Sequence, residues 1–127
     1  RTLVSKVMPT FEYSGETKYW KEKVFKESTA NTIKECLENV VKSGTGTGTR
    51  SYKMTIAGKT GTAEIKASQD DENGTELGWF VALTTDTKPE ESILIVTMIE
   101  DVEPKGGSAY VVSKTKKMLK SIYGDKF

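Results

Sequence analysis

A chain of 127 residues with 19 basic and 18 acidic side chains has the length of about one domain and a formal charge of +1. That balance leaves no whole-molecule field to steer it to nucleic acid or to an anionic membrane. The absence of histidine excludes a Ser-His-Asp triad, a histidine general base and histidine-ligated metal, and the single Cys36 excludes an internal disulfide.

Leu3 to Met8 alternates as a strand does, and Pro9 ends it because proline has no donor for the ladder. Glu12 to Lys23 is polar and reads as a loop or irregular hairpin. Its aromatics Tyr13, Tyr19 and Trp20 suit half-buried packing better than a lid over the sheet edge. Ser28 to Ser43 is the clearest helix. Ile33, Cys36, Leu37, Val40 and Val41 fall at i, i+3, i+4, i+7 and i+8 and form one apolar face. Ser28 or Thr29 can cap its start, Thr32-x-x-Glu35 is a second capping box, and Gly44 suits the residue after its end. Cys36 lies on the apolar stripe and is expected to be a small core residue, since a reactive thiol needs an exposed, electropositive setting.

Gly44 to Thr49 alternates glycine and threonine, which invites a phosphate-cradling reading. A dinucleotide fingerprint needs glycine where Thr49 or Ser51 stands, and a P-loop ending at Thr60 needs glycine where Lys53 stands. Nucleotide binding is therefore set aside for this segment.

Lys53 to Lys66 reads as a strand carrying Gly58-Lys59-Thr60-Gly61-Thr62. Its alternation sends Lys59 and Gly61 one way and Thr60 and Thr62 the other. Two glycines inside a strand suggest close approach of another backbone, here a ligand with a negative charge for Lys59 and acceptors for the hydroxyls. Ala67 to Glu76 is polar with Asn73-Gly74 at its tip, a hairpin signal on a longer loop. Asp70-Asp71-Glu72 lacks the spaced ligands of a calcium loop, and the sequon Asn73-Gly74-Thr75 is read as chance. Leu77 to Thr85 and Ser92 to Ile99 are further strands. The last is nearly continuous in apolar residues, as a strand covered on both faces would be. Ser108 to Tyr123 is a second helix, with Val111, Val112, Met118, Leu119 and Ile122 apolar. Lys114, Lys116, Lys117 and Lys120 lie mostly on its outer side, where the helix C-terminus favours cations. The fold class expected is α+β, an antiparallel sheet of three to four strands with two packed helices.

Lys59-Thr60-Gly61 is one of three motifs of the penicillin-binding and serine β-lactamase superfamily, beside a Ser-x-x-Lys nucleophile and a Ser-x-Asn triplet. The context extends the match. Gly44-Thr45-Gly46-Thr47 precedes it, Thr62-Ala63-Glu64 continues it, and Gly78 to Ala82, Ile93 to Val96 and the turn Gly106-Gly107-Ser108 follow. From about Pro9 to Tyr123 the chain resembles the C-terminal part of a class B penicillin-binding transpeptidase domain. Thr17 to Lys21, Thr62 to Lys66 and Gly78-Trp79-Phe80 resemble most the low-affinity branch that includes the methicillin-resistance transpeptidase.

The resemblance implies a D,D-transpeptidase that cross-links peptidoglycan stem peptides through an acyl-serine, with D-Ala-D-Ala ends and β-lactams as its ligands and no cofactor or metal. It makes Gly44 to Thr49 a turn leading from the helix towards the active-site strand, and it assigns Lys59 a charge facing the serine and the substrate carboxylate. Thr60 and Thr62 become hydrogen-bond partners of that carboxylate, Thr62 N–H an oxyanion donor, and Gly61 a position that lets the substrate backbone lie along the strand. Glu64 and Trp79 match family positions without an assigned role. It also implies an extracytoplasmic place at the bacterial membrane, with an anchor upstream.

Two of the three motifs are missing. Ser113-Lys114-Thr115-Lys116 fits Ser-x-x-Lys formally, but it follows the Lys-Thr-Gly strand and sits in the lysine-rich helix. Ser28-Thr29-Ala30-Asn31 has the wrong spacing for the triplet. No apolar run approaches the roughly 18–20 residues of a membrane span, and no signal peptide is visible. The chain starts at Arg1. Residues 1–127 are therefore expected to be one partial domain lacking its serine-bearing helical part, inactive alone, with a sheet edge exposed for self-association. A β-lactamase or β-lactam sensor fragment, and a non-catalytic binding module of the same fold, are the competing readings.

Overall fold

The computed structural model describes residues 23–66 and 74–127. The expected strand at Leu3 to Met8, the segment with Tyr13, Tyr19 and Trp20, and the tip at Asn73 lie outside the described residues. Three strands form one sheet in the order β1-β2-β3. They are β1 (Ile56–Ile65), β2 (Thr75–Thr84) and β3 (Leu94–Glu100). Both pairings are antiparallel, with Thr60 opposite Phe80 and Phe80 opposite Thr97. This is the meander that short links between consecutive strands require.

Two helices of 16 residues flank the sheet in sequence, α1 (Glu27–Lys42) and α2 (Ser108–Tyr123). The turn into α2 depends on glycine. Gly106 has φ 98° and Gly107 φ 64° with ψ −146°, backbone that a side chain would oppose. The helix then packs on the Phe80 face of the sheet. Thr115 Oγ1 lies 2.8 Å from Thr97 Oγ1, and Val111 sits over Gly78. Phe80, Val102, Val111 and Leu119 are fully buried, and Val41 and Ile56 join the same cluster. Each such large apolar side chain contributes about 1.5–3 kcal/mol by leaving water.

Four expectations need correction. Cys36 is exposed, not a core residue. Only the C-terminal half of α1 reaches the sheet, so Val41 is buried and Leu37 and Val40 are half-buried, while Ile33 and Cys36 lie beyond its end. No side chain caps α1. Its N-cap is Lys26, Ser28 and Thr29 lie inside the first turn, and the Thr32 hydroxyl donates back to Ser28 O. On α2, Met118 and Ile122 are exposed, because the packed stripe runs through Val111, Val112, Thr115 and Leu119. Finally, the described residues cover β3 on one face only. Ile95, Thr97 and Ile99 are half-buried on the α2 side, whereas Leu94, Val96 and Met98 are 64%, 54% and 42% exposed on the other.

Candidate functional site

The motif occupies the first half of an edge strand, and the ladder decides what that edge offers. Thr55 O accepts from Thr85 N at the entry to β1, which puts the odd-numbered residues of the strand in hydrogen bonds with β2. In an antiparallel ladder the N–H and C=O of one residue point to the same side, and successive residues alternate. Gly58, Thr60 and Thr62 therefore turn their N–H and C=O to the open edge. The Thr60 carbonyl agrees, since it accepts from Lys59 Nζ at 2.7 Å. Among the described residues no strand pairs with this edge.

Side chains divide between the two faces as the alternation requires. Gly61 faces Trp79, so Lys59 and Gly61 share the face of Trp79, Val81 and Val96. Thr60 and Thr62 share the opposite face with Gly58 and Phe80. Lys59 and Thr62 are exposed, and Thr60 and Gly61 are intermediate. Lys59 reaches round to this edge, so an ammonium, two hydroxyls and the Thr60 and Thr62 N–H groups, which no described strand pairs, meet there. Such an edge accepts an extended chain as an added strand and supplies a cation and hydroxyl donors for an acid group on that chain.

Gly58 shows how tightly the strand is held. A Cβ there would stand 2.6 Å from Val81 O and 2.8 Å from Phe80 Cζ. Glu64 is exposed and pairs with Lys66 at 2.8 Å, while Trp79 is half-buried behind Gly61. Neither reaches the open edge through a described contact. Ser113 is exposed on α2, and its hydroxyl donates to Tyr110 O at 2.7 Å. Since α2 covers the Phe80 face, Ser113 is on the other side of the sheet from Lys59.

One residue that sequence reasoning had passed over enters the site. Thr45 Oγ1 lies 2.7 Å from Thr60 Oγ1. Its signal was the run Gly44-Thr45-Gly46-Thr47, which the resemblance makes a turn leading towards this strand without giving Thr45 a role. A separate groove of about 510 Å³ between α1 and residues 50–56, lined by Glu35, Glu38, Lys42 and Arg50 among others, does not include Lys59 to Thr62.

Comparison with known proteins decides the family. The chain matches the penicillin binding protein transpeptidase domain over residues 2–124. It belongs to that family. Penicillin-binding protein 3 of Bacillus subtilis (strain 168) is 41% identical over 104 residues, which cover 80% of this chain and 15% of that protein. A solved structure from Atopobium parvulum DSM 20469, described as a peptidoglycan glycosyltransferase, superposes with a TM-score of 0.56 at 29% identity. The match covers 84% of this chain and 26% of that one. The chain thus spans a small part of the relatives it matches. As a member of the penicillin-binding transpeptidase family it carries the Lys-Thr-Gly strand on the open edge of its sheet.

Proposed function

We propose that these 127 residues work as the C-terminal part of a D,D-transpeptidase domain whose serine lies in a segment outside them. The observation that carries this reading is the edge of β1 that no described strand pairs, to which Thr60 and Thr62 direct their backbone groups and Lys59 adds a charge. A stem peptide lies along that edge as an extra strand. Its terminal carboxylate meets Lys59 and the Thr60 and Thr62 hydroxyls. The serine attacks the carbonyl of the penultimate D-alanine, terminal D-alanine leaves, and an amine of a neighbouring stem displaces the serine to form the cross-link. Thr62 N–H stabilises the oxyanion of each tetrahedral intermediate, beside a donor from the serine. Losing one such donor costs about 10²–10³ in rate. β-Lactams enter the same way and leave a long-lived acyl-serine.

The open face of Leu94, Val96 and Met98 and the outer edge of β3 receive the upstream, serine-bearing part of the same polypeptide. The short share of each relative that this chain spans supports that occupant. That face also carries Lys59, so docking there brings the serine to the lysine. Among the described residues no helix is long and apolar enough to cross a membrane. The anchor that holds the enzyme on the outer side of the membrane belongs to the segment outside this chain. The stretches Thr62 to Lys66 and Gly78-Trp79-Phe80 favour the branch that includes the methicillin-resistance transpeptidase.

Labelling with fluorescent penicillin tests the assignment. The complete protein is expected to take up one equivalent, Lys59→Ala to lose most of it, and the 127-residue chain to take up none. A stoichiometric adduct on the isolated chain overturns the absence of the nucleophile, and full labelling of Lys59→Ala overturns the role of the strand.

A further inference from the structure

The Gly44–Thr49 segment is built to hold one hydroxyl against the motif strand. Val40 O, at the end of α1, accepts from both Gly44 N at 3.1 Å and Gly46 N at 2.9 Å, so the backbone on either side of Thr45 is tied to one carbonyl. Both glycines are closely packed. A Cβ on Gly44 would meet Val40 Cα and O at 3.0 Å, and one on Gly46 would sit within 3.2–3.3 Å of Val40 O, Val41 and Phe80. On the far side, the fully buried Thr49 returns both its N–H and its hydroxyl to Gly46 O, each at 2.9 Å. Thr45 itself is exposed and makes one described side-chain contact, the 2.7 Å approach to Thr60 Oγ1. These four hydrogen bonds on the flanking residues fix a residue whose own side chain reaches the candidate site.

A hydroxyl carries one proton and two acceptor sites. In a pair of hydroxyls one donates and the other accepts, and only an accepting Thr60 keeps its proton for a ligand. We propose that Thr45 is a positioning residue. Its O–H donates to Thr60 Oγ1 and so directs the Thr60 proton to the carboxylate of the chain bound along β1. A hydroxyl that accepts a hydrogen bond also becomes a better donor. The carboxylate completes the series Thr45 to Thr60 to ligand, and without an anion at the edge the order of the two protons is free to reverse. This inference rests on the proposed role of Thr60 and adds a group that acts through it.

The test uses the complete protein and two probes, a penicillin with a free carboxylate and the same penicillin with that carboxylate esterified. Thr45→Val keeps the shape and removes the donor. It is expected to lower the acylation efficiency of the free acid about tenfold, the scale of one lost hydrogen bond to a charged acceptor network, and to leave that of the ester near wild type. Thr45→Ser recovers most of the loss. In a Thr60→Val background the Thr45→Val effect disappears, because residues acting through one contact are not additive. Should Thr45→Val fold poorly, Thr45→Ala read as the ratio of acid to ester efficiency gives the same comparison independently of the active fraction. Equal losses on acid and ester, or full additivity with Thr60→Val, overturn the proposal. A defective Thr60→Val beside an unaffected Thr45→Val overturns the role of Thr45 alone, whereas an unaffected Thr60→Val removes the role of the strand as well.

Discussion

Gly58 and Gly78 occupy two positions where the sheet leaves no space for even a methyl group. The case of Gly58 is the more severe, because the atom nearest its missing Cβ is a backbone oxygen, Val81 O at 2.6 Å. A flexible side chain can turn away, but a ladder carbonyl cannot move without breaking its hydrogen bond. Gly58→Ala is expected to lower stability by about 1–3 kcal/mol, the usual cost of overpacking. A thermal melt of the chain checks this; an unchanged midpoint contradicts the close approach. At Gly78 the opposing atoms belong to Val111 and Val102 side chains, so part of the strain can relax. The faces that Lys59, Thr60, Gly61 and Thr62 take were legible from the string, because a period of two needs no tertiary knowledge. Thr45 was not. Nothing in the alternation of glycine and threonine says that the turn folds back onto Thr60, 15 residues later in the chain.

At the scale of elements, hydrophobic pattern and burial agree where a neighbouring layer exists and part where it does not. The α2 boundaries Ser108 and Tyr123 were readable in full, since two glycines with positive φ precede the helix and Gly124 follows it. The apolar stripe of α1 was also real, yet Ile33 and Cys36 face solvent. Periodicity reports which face is apolar, and it does not report how far the partner sheet extends. Cys36 of the native 127-residue chain is therefore expected to alkylate completely with iodoacetamide, at a rate close to that of the unfolded chain. Strong protection under native conditions contradicts its exposure. The part-buried hydroxyl pair of β3 and α2 supplies another check at this scale. Thr115 bonds both Thr97 Oγ1 and Val111 O, so Thr115→Val leaves Thr97 without its partner. Urea unfolding is expected to show a loss of about 1 kcal/mol, and a more stable variant contradicts the pairing.

For the whole molecule the decisive feature is one uncovered sheet face beside one covered face. The near-continuous apolar run of β3 predicted cover on both sides, and the described residues provide it only through α2. We interpret the run as the signature of a neighbour that the chain meets in the complete protein. Without that neighbour the 127-residue chain presents Leu94, Val96 and Met98 next to an edge that no described strand pairs, the arrangement that favours strand-to-strand association. Light scattering is expected to show mass rising with concentration, and Val96→Lys to suppress it. A monomer throughout the range, wild type included, contradicts this account.

The central claim is that the open edge of β1 is the wall of the reactive site. A crystal structure of the complete protein acylated by a β-lactam tests it most directly. The account predicts the antibiotic carboxylate within hydrogen-bond reach of the Thr60 and Thr62 hydroxyls, and its acyl oxygen at Thr62 N–H. An acyl group bound away from β1, with the Thr60 and Thr62 backbone paired to another strand of the protein, would contradict it.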